Sequence, residues 1–389
     1  MKIRSVRATA LRNSAADFMS RPPLPAQAAL GGTGPFGTGH GQPPEPEALT
    51  VVEIETDDGL AGIGTVGGFA VGSGTIVNQQ FAPLLIGEDS RRIEWLWDRC
   101  YAALGREGTR GTGVMALSGV DIALWDLLGK SLGKPVVDLI GGRSKSRVPV
   151  YMSTMSNRAG LDALVEEAAG YAADGFRAMK YFFRLGPMHG AAGLREEVQT
   201  VRRLREAVGP DVQLMVDAHY RWDLPYARQM FDGIAPFDIA WVENPMPLDD
   251  LPGYERLARL ESIPIAAGES ERTRFPFVDL LNAGVFYLQP DINRVGGLTE
   301  TLRICGLAAT HSRAVCPHQG WLHSWHLIMA KSCCPIGEYF PKRDPLPGNA
   351  LIWAVLDGEP EAHDGAIDVP DTPGFGWAVN RAELDRRAV

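Results

Sequence analysis

The chain has 389 residues, 45% of them hydrophobic and 22% charged, which provides material for a large core and excludes wholesale disorder. The net charge of −9 is spread along the chain without a dense run of Lys and Arg, so we expect no nucleic-acid partner. The length fits a barrel of about 250 residues together with one smaller domain.

The N-terminal segment MKIRSVRATALRN has basic residues but lacks the apolar stretch of a signal peptide. No run of about eighteen uncharged apolar residues occurs, so we expect a cytoplasmic protein with no membrane partner. The cysteines are odd in number and none is spaced as CxxC, which argues against a disulfide framework and against a thiolate zinc site. We interpret them as reduced residues in packing positions: Cys100, Cys305, Cys316, Cys333 and Cys334.

The first predicted elements are strands, beginning with residues 3–11. The segment LTVVEIETDDGLAGIGTVGG contains two apolar runs around the turn Asp57-Asp58-Gly59, which is the pattern of a β-hairpin. Further along, residues 91–134 have helical periodicity, and Gly129, Gly133 and Pro135 are predicted to end the last helix. These helices complete a first, smaller domain.

Residues 14–47 lie between the first two strands and are rich in Gly and Pro without a regular period. A connection of this length is usually a lid or disordered. We predict a lid in which Arg21 and His40 bind substrate, with a solvated His40 as the alternative. The GxGxxG match GTGPFG lies here, but no strand precedes it and no helix pattern follows it, so a dinucleotide site is rejected.

The second part of the chain alternates strand-like runs with stretches of helical periodicity, such as LDALVEEAAGYAADG. This alternation predicts a parallel sheet, and eight repeats predict a closed barrel. The strand-like runs are VPVYMS, RAMKYFF, VQLMVDA, DIAWVEN, IPIAAGE, VFYLQPD, AVCPHQG and IGEYF.

Three carboxylates end successive predicted strands of this barrel. Asp217, Glu243 and Glu269 are spaced 26 residues apart, one strand-helix unit each time, so they should point into one mouth. Crowded carboxylates stay ionised only if a cation neutralises them, and an all-oxygen set favours Mg²⁺, with Mn²⁺ next. The alternative for each residue is a carboxylate that caps the following helix.

Two more predicted strand ends carry a candidate general base. His318 and Asp291 end neighbouring strands, and an aspartate that accepts from one ring nitrogen raises the basicity of the other. Glu338, on the eighth strand, could hydrogen-bond a developing oxyanion if protonated. Its alternative is a salt bridge to Lys342 or Arg343.

The motifs MALSGVDIALWD, WVENP, AAGE, LQPDINRVGG and PHQG together resemble the mandelate racemase branch of the enolase superfamily over nearly the whole chain. The resemblance implies a modified (β/α)7β TIM-like barrel, residues 131–365, with an α+β capping domain. The cap comprises residues 1–130 and is completed by 366–389. It also implies Mg²⁺ held by Asp217, Glu243 and Glu269, and removal of a proton alpha to a carboxylate to give an enediolate stabilised by the metal.

One departure from the family narrows the reaction. Racemases of this branch carry KxK at the end of the second strand, whereas KYF here has Lys180 first and Phe182 in place of the second lysine. Without a second base, racemisation is disfavoured, and we expect Lys180 to bind the substrate carboxylate. Strand alternation predicts that His219 points to the same side of the strand as Asp217, two residues further out. This DxH pair resembles galactonate-type sugar-acid dehydratases, in which the histidine protonates the departing 3-hydroxyl. The alternative is a histidine that orients a metal ligand.

The sequence therefore predicts a lyase that dehydrates an aldonate or aldarate to a 2-keto-3-deoxy sugar acid. His318 removes the alpha proton, Asp291 orients it, and His219 expels the hydroxyl. The segment YFFRLGPMHG resembles rhamnonate-type dehydratases instead, so the substrate stays open. The alternatives are a racemase or epimerase that uses Lys180 as second base, and a non-catalytic sugar-acid-binding barrel. We also expect a homo-oligomer, from dimer to octamer.

Overall fold

The computed structural model describes residues 1–12, 48–68, 70–105, 108–155, 160–342 and 347–389. The predicted lid, residues 14–47, with Arg21 and His40, lies outside the described residues, and so does Arg343.

The chain begins with a three-stranded antiparallel sheet of order β1-β2-β3. Its strands are β1 (Ile3–Leu11), β2 (Leu49–Thr56) and β3 (Ala61–Val66). The predicted hairpin between β2 and β3 is confirmed. Its turn contains Gly59 at φ 85°, a left-handed conformation that glycine adopts without a steric cost.

Helices follow this sheet in the chain, and the longest of them packs against β2 and β3. They are α1 (Ser73–Ile76), a π-helical turn (Val77–Phe81), α2 (Ala82–Leu85), α3 (Ile93–Ala103), α4 (Thr112–Leu132) and α5 (Val136–Leu139). The prediction that Gly129 breaks α4 is wrong, because the helix continues to the left-handed Gly133. A Cβ at Gly129 would lie 2.7 Å from the Cα of Gly374, so a close approach requires this glycine. By length and composition α4 could span a membrane, but 83% of its apolar window is buried inside the protein, as in a core helix.

The eight predicted barrel strands are confirmed. They run parallel. The first seven neighbour each other in chain order, and the eighth pairs with the first. They are β4 (Val148–Met155), β5 (Ala178–Phe182), β6 (Gln213–Asp217), β7 (Ile239–Glu243), β8 (Ile265–Ala267), β9 (Tyr287–Leu288), β10 (Ala314–Val315) and β11 (Gly337–Tyr339).

Helices alternate with these strands along the chain, which confirms the modified barrel with a cap. They are α6 (Leu161–Ala173), α7 (Gly190–Val208), α8 (Leu224–Ile234), α9 (Leu251–Leu260), α10 (Phe275–Asn282), α11 (Gly297–Thr310), α12 (Leu322–Ala330) and α13 (Pro347–Val355). Short 3-10 turns, Pro187–His189 and Ala235–Phe237, precede α7 and follow α8.

The C-terminal segment returns along both parts of the molecule. It contains β12 (Leu356–Asp357), β13 (Ala366–Ile367), β14 (Ala378–Val379) and α14 (Arg381–Arg387). Strand β13 pairs with β4 of the barrel, whereas Val389 N donates to Ala10 O of the cap at 3.0 Å. Because α4 runs past residue 130 and β13 pairs with the barrel, the domain limits at 130 and 366 stay predictions.

Buried polar contacts join the cap to the barrel. Asp121 of α4 accepts hydrogen bonds from the backbone N–H (2.9 Å) and the hydroxyl (2.5 Å) of Thr299 in α11. Burial raises the pKa of Asp121 to about 7. Gly296 donates its N–H to Ser118 and accepts from the Trp97 indole, at 2.9 and 2.7 Å. The cap therefore holds the start of α11, directly after the loop that carries Asp291.

A second buried carboxylate joins three segments of the chain, and its removal is expected to destabilise the protein. Asp126 accepts from the N–H of Ile63 in β3 and of Phe375, both at 2.8 Å, and pairs with Lys130 at 2.6 Å. Asp126→Ala leaves two buried N–H groups unpaired, so the free energy of unfolding should fall by about 2–4 kcal/mol. Urea unfolding measures this change. The exposed Asp211→Ala is the control, and a variant as stable as that control would contradict the expectation.

Candidate active site

Lys180, Asp217 and Glu243 are the first group of site residues. They lie on barrel strands, and the alternation of side chains along a strand places them in the barrel. Side chains that point into the barrel repeat at every second residue. Met215 and Trp241 lie in the buried inner layer of the barrel. Asp217 follows Met215 by two residues at the end of β6, and Glu243 follows Trp241 by two residues at the end of β7. On β5, Lys180 likewise follows Ala178 of the inner layer by two residues, although its neighbour across the ladder is Met215 and Phe182 is the neighbour of Asp217. These charged groups therefore form the layer above the apolar floor of the barrel.

The second group lies beyond the strand ends. Glu269 follows β8 after Gly268, whose φ of 126° turns the chain across the mouth. Asp291 and His318 follow β9 and β10 in the same way. The structure brings all of these residues together at the C-terminal ends of the strands.

Lys180 lies at the centre of the acidic residues. Its side chain is 1% exposed, and its Nζ is 2.6 Å from Glu243 Oε1, 2.9 Å from Glu338 Oε1 and 3.6 Å from Asp217 Oδ2. Burial alone would lower the pKa of Lys180, but the charges of Glu243 and Glu338 raise it well above its ordinary value. Lys180 is therefore an ammonium group that pairs with carboxylates of the protein. Its contact with a substrate carboxylate stays a prediction.

Glu338 differs from the expectation of a protonated acid. One oxygen accepts from the Ser153 hydroxyl at 2.6 Å, and the other accepts from the backbone N–H of Gln319 at 2.7 Å. Burial raises the pKa of Glu338, but the charge of Lys180, with that of His318, outweighs burial and lowers the pKa to about 2. The group is thus an ionised carboxylate. Its alternative salt bridge to Lys342 is also absent from the contacts in the described part of the chain, since Lys342 Nζ lies over the Trp353 ring.

His318 and Asp291 form the predicted pair. The Nδ1 of His318 is 2.9 Å from Asp291 Oδ2, and its Nε2 is 3.3 Å from Glu269 Oε2. Burial would lower the pKa of His318, but the carboxylates of Glu269 and Asp291 raise it to about 9. Because Glu269 is the largest cause of this increase, a cation shared by that carboxylate would lower the pKa of His318 again, toward that of a base at neutral pH.

His219 reaches the mouth by a different route from the one predicted. Strand β6 ends at Asp217, and His219 lies in a left-handed turn at φ 50°, where its N–H donates to Asp217 Oδ1 at 2.8 Å. Its ring stacks on Phe182 with 5.1 Å between centroids, and its Nδ1 is 3.7 Å from Asp217 Oδ2. Desolvation, followed by the charge of Arg221, lowers its pKa, although 32% of the side chain is exposed. The ring is therefore uncharged at neutral pH and can donate one N–H.

Several site residues were missed from the sequence. Gln289 donates to Glu243 Oε2 at 2.6 Å, and Arg294 pairs with Asp291 Oδ2 at 3.1 Å. Asn293 accepts from the cap residue Thr65 at 2.5 Å. The available signal was the motif LQPDINRVGG itself, in which these three polar residues surround Asp291.

The oxygen atoms of Asp217, Glu243 and Glu269 suit a hard divalent cation such as Mg²⁺. Burial raises the pKa of Asp217 to about 6 and that of Glu243 to about 8, although Lys180 opposes both shifts. Any further positive charge stabilises the ionised form of carboxylates whose pKa is raised by burial. The chemistry of the donor set therefore suits Mg²⁺, although the described carboxylates of Asp217, Glu243 and Glu269 do not all offer oxygens within 4.8 Å of one another.

The fold and the site define a two-domain α/β-barrel protein with acidic and basic groups at the barrel mouth. The chain belongs to the enolase superfamily. Residues 163–383 match the enolase C-terminal domain-like family, and residues 37–141 match the N-terminal domain of mandelate racemase and muconate lactonizing enzymes.

Relatives of this chain include a cycloisomerase of a sugar-acid lactone and a dehydratase of a sugar acid. The chain is 35% identical to D-galactarolactone cycloisomerase of Agrobacterium fabrum, over 87% of this chain and 90% of the relative. It is 33% identical to L-rhamnonate dehydratase of Saccharopolyspora erythraea, over 86% and 84%.

Solved structures agree with this assignment. Rhamnonate dehydratase from Gibberella zeae complexed with Mg has a TM-score of 0.83 at 27% identity, over 100% of this chain and 96% of that chain. A racemase from Streptomyces coelicolor A3(2) with bound magnesium has a TM-score of 0.82 at 29% identity, over 100% of both chains.

Proposed function

We propose that this protein is a Mg²⁺-dependent sugar-acid dehydratase that converts an aldonate or aldarate to a 2-keto-3-deoxy sugar acid. The observation that supports it most is the pair of histidines, His318 and His219, which contact carboxylates of one cluster from different strands. Its similarity to L-rhamnonate dehydratases supports the same reaction.

In this proposal the two histidines move the two protons of the elimination. With its Nδ1 hydrogen directed at Asp291, His318 keeps a lone pair on Nε2, which takes the alpha proton. The electron pair of that C–H bond forms the new double bond as the 3-hydroxyl leaves. The His219 ring, uncharged at rest, takes up a proton from solvent before this step. The imidazolium then donates that proton to the hydroxyl, which departs as water, and the enol product tautomerises to the 2-keto acid.

The acidic cluster prepares the substrate for this step. Asp217, Glu243 and Glu269 would hold Mg²⁺, which when bound supplies positive charge to a substrate carboxylate whose charge grows as the alpha proton leaves. Lys180 lies beside the same carboxylates and adds a second positive charge. Phe182 covers His219 and limits its contact with water.

Cycloisomerisation of a sugar-acid lactone is the second candidate, because the chain is similar to D-galactarolactone cycloisomerase. The same proton removal by His318 would then expel a ring oxygen instead of a hydroxyl. The product retains the mass of the substrate, whereas a dehydratase product is lighter by one water.

Racemisation is less well supported. Phe182 occupies the position next outward from Lys180 on β5, so the only lysine on this strand is the one paired with Glu243 and Glu338. Deuterium incorporation with isomer formation and no keto product would favour it. A barrel that only binds a sugar acid would show no metal-dependent turnover.

The test is a screen of mono- and diacid sugars and their lactones with Mg²⁺, followed by mass spectrometry and an assay for 2-keto-3-deoxy acids. We expect an aldonate or aldarate to lose water, and chelation to stop the reaction. Turnover of lactones alone, without loss of mass, would replace the dehydratase with a cycloisomerase. The cytoplasmic location, the homo-oligomer and the lid with Arg21 and His40 remain part of the proposal.

A further inference from the structure

Three of the cysteines lie close together in space, although Cys305 is distant in sequence from Cys333 and Cys334. Cys305 lies in α11, and Cys333 and Cys334 lie between α12 and β11. The Sγ of Cys334 is 3.9 Å from that of Cys305 and 4.0 Å from that of Cys333. All three sulfurs lie within 4.8 Å of one another. We refer to these residues as the sulfur triad.

The sulfur triad lies on the side of the barrel opposite to the mouth. Cys333 and Cys334 precede β11, and the carbonyl of Cys333 accepts from Val315 N in β10 at 2.9 Å. Cys305 lies in the second half of α11, shortly before β10 begins. The candidate active site occupies the C-terminal strand ends, so the sulfur triad serves no step of the proposed reaction.

Two of the three sulfur separations match those of thiolates around one metal ion, and the third lies within 4.8 Å. A metal–sulfur bond of about 2.3 Å places two sulfurs about 3.8 Å apart in tetrahedral coordination and about 4.0 Å apart in trigonal coordination. The separations of Cys334 from Cys305 and Cys333 are 3.9 and 4.0 Å. A disulfide would require two sulfurs to approach to about 2.05 Å.

Positive charge is available beside the sulfur triad. The Lys145 ammonium donates to the carbonyls of Ile328 and Lys331, both at 2.8 Å, and interacts electrostatically with Cys333 and Cys334. Three thiolates and one Zn²⁺ carry a net charge of about −1, and with Cu⁺ about −2. A fixed ammonium offsets this charge.

Access and burial also suit a metal. Cys305 and Cys334 are buried, at 4% and 0% exposure, whereas Cys333 is half-buried and gives an ion a route from the surface. Among the described residues no His, Asp or Glu side chain joins the group. The three sulfurs therefore form the whole protein ligand set, as trigonal Cu⁺ requires, and Zn²⁺ would add one water.

We propose that the sulfur triad of Cys305, Cys333 and Cys334 binds one thiophilic metal ion, Zn²⁺ or Cu⁺, which holds α11 to the segment before β11. Binding releases the thiol protons to solvent and needs no oxidant. The ion would be separate from the Mg²⁺ of the barrel mouth, because soft sulfur and hard oxygen ligands select different metals.

The test uses reduced, chelator-treated protein with excess Mg²⁺. In one arm Co²⁺ is added as a spectroscopic substitute for Zn²⁺. In the other arm, Cu⁺ is added under anaerobic conditions, and the protein competes for it with a copper chelator. We expect one equivalent to bind, with a near-ultraviolet thiolate-to-Co²⁺ charge-transfer band that Zn²⁺ removes. Whichever of Zn²⁺ and Cu⁺ displaces the other at equal concentration is the preferred ion.

Variants separate the sulfur triad from the rest of the chain. Cys305→Ser and Cys334→Ser should weaken binding by at least about tenfold. Cys100→Ser, at a buried cysteine of the cap, should bind as the wild type does. Glu269→Gln, a change at the rim of the barrel mouth, must keep the charge-transfer band. A defect of the proposed Mg²⁺ site and a defect of the sulfur triad are then distinguishable.

Unfolding in urea shows which variants are folded, and if the buried ones are not, the half-buried Cys333→Ser decides. The same band in wild type and Cys333→Ser would overturn the proposal. So would the absence of any band in wild type. A disulfide between Cys305 and Cys334 after mild oxidation, in protein that takes up no metal, would identify a redox pair instead.

Discussion

Replacing His318 by Asn is expected to stop both dehydration and exchange of the alpha proton with D₂O. The reason is that Nε2 of His318 is the only base assigned to that proton, and Asp291 acts on it through Nδ1. Loss of a positioned base should slow both processes by about 10²–10⁴. Proton NMR in D₂O measures exchange and product in one sample.

Replacing His219 by Asn should separate these two processes. Water loss should slow by about 10²–10⁴, because the leaving hydroxyl loses its proton donor. Exchange should continue, since His318 and Asp291 are intact. His311→Asn, at an exposed histidine, is the matched control. If His219→Asn dehydrates at the wild-type rate, the acid lies elsewhere, and protonated His318 in a syn elimination is the first candidate.

Loss of one carboxylate at the mouth is expected to remove both metal binding and turnover. Glu269→Gln is the most informative change, because Glu269 is 15% exposed and makes its contact with His318 at the rim. Asp217→Asn and Glu243→Gln alter buried partners of Lys180 and so change folding as well. Mg²⁺ affinity, measured by calorimetry, should fall by at least about 10²-fold.

A matched control separates this effect from a general loss of charge. Glu206→Gln removes a carboxylate that is 60% exposed, and it should leave affinity and turnover unchanged. In the wild type, exhaustive chelation should abolish turnover and Mg²⁺ should restore it. Full activity after chelation, or Mg²⁺ binding by Glu269→Gln at the wild-type affinity, would contradict the metal assignment.

The sequence by itself determined the barrel and the convergence of the acidic residues. Strand and helix periods identified all eight parallel strands, because period 2 and period 3.6 leave different apolar patterns. The spacing of 26 residues between Asp217, Glu243 and Glu269 marked equivalent ends of successive strands. Since parallel strands end at one rim, their last side chains meet there whatever the details of packing.

Charge states and partners within the mouth depended on tertiary structure. Glu338 could be predicted to face the mouth, but its ionised state follows from Lys180 at 2.9 Å, on a strand far away in sequence. His219 was expected to follow strand alternation, and it faces Asp217 because of a left-handed turn instead. Both outcomes depend on distances between side chains, which local propensity does not encode.

The sulfur triad shows the same limit most clearly. The spacing of the cysteines argued against a thiolate site, because a local motif places its ligands within one turn. Only the packing of α11 against the segment before β11 brings Cys305 to 3.9 Å from Cys334, across 29 residues of sequence. Helix and strand patterns predict which faces are buried, but the side chains that meet across two buried faces are decided by how the elements pack together.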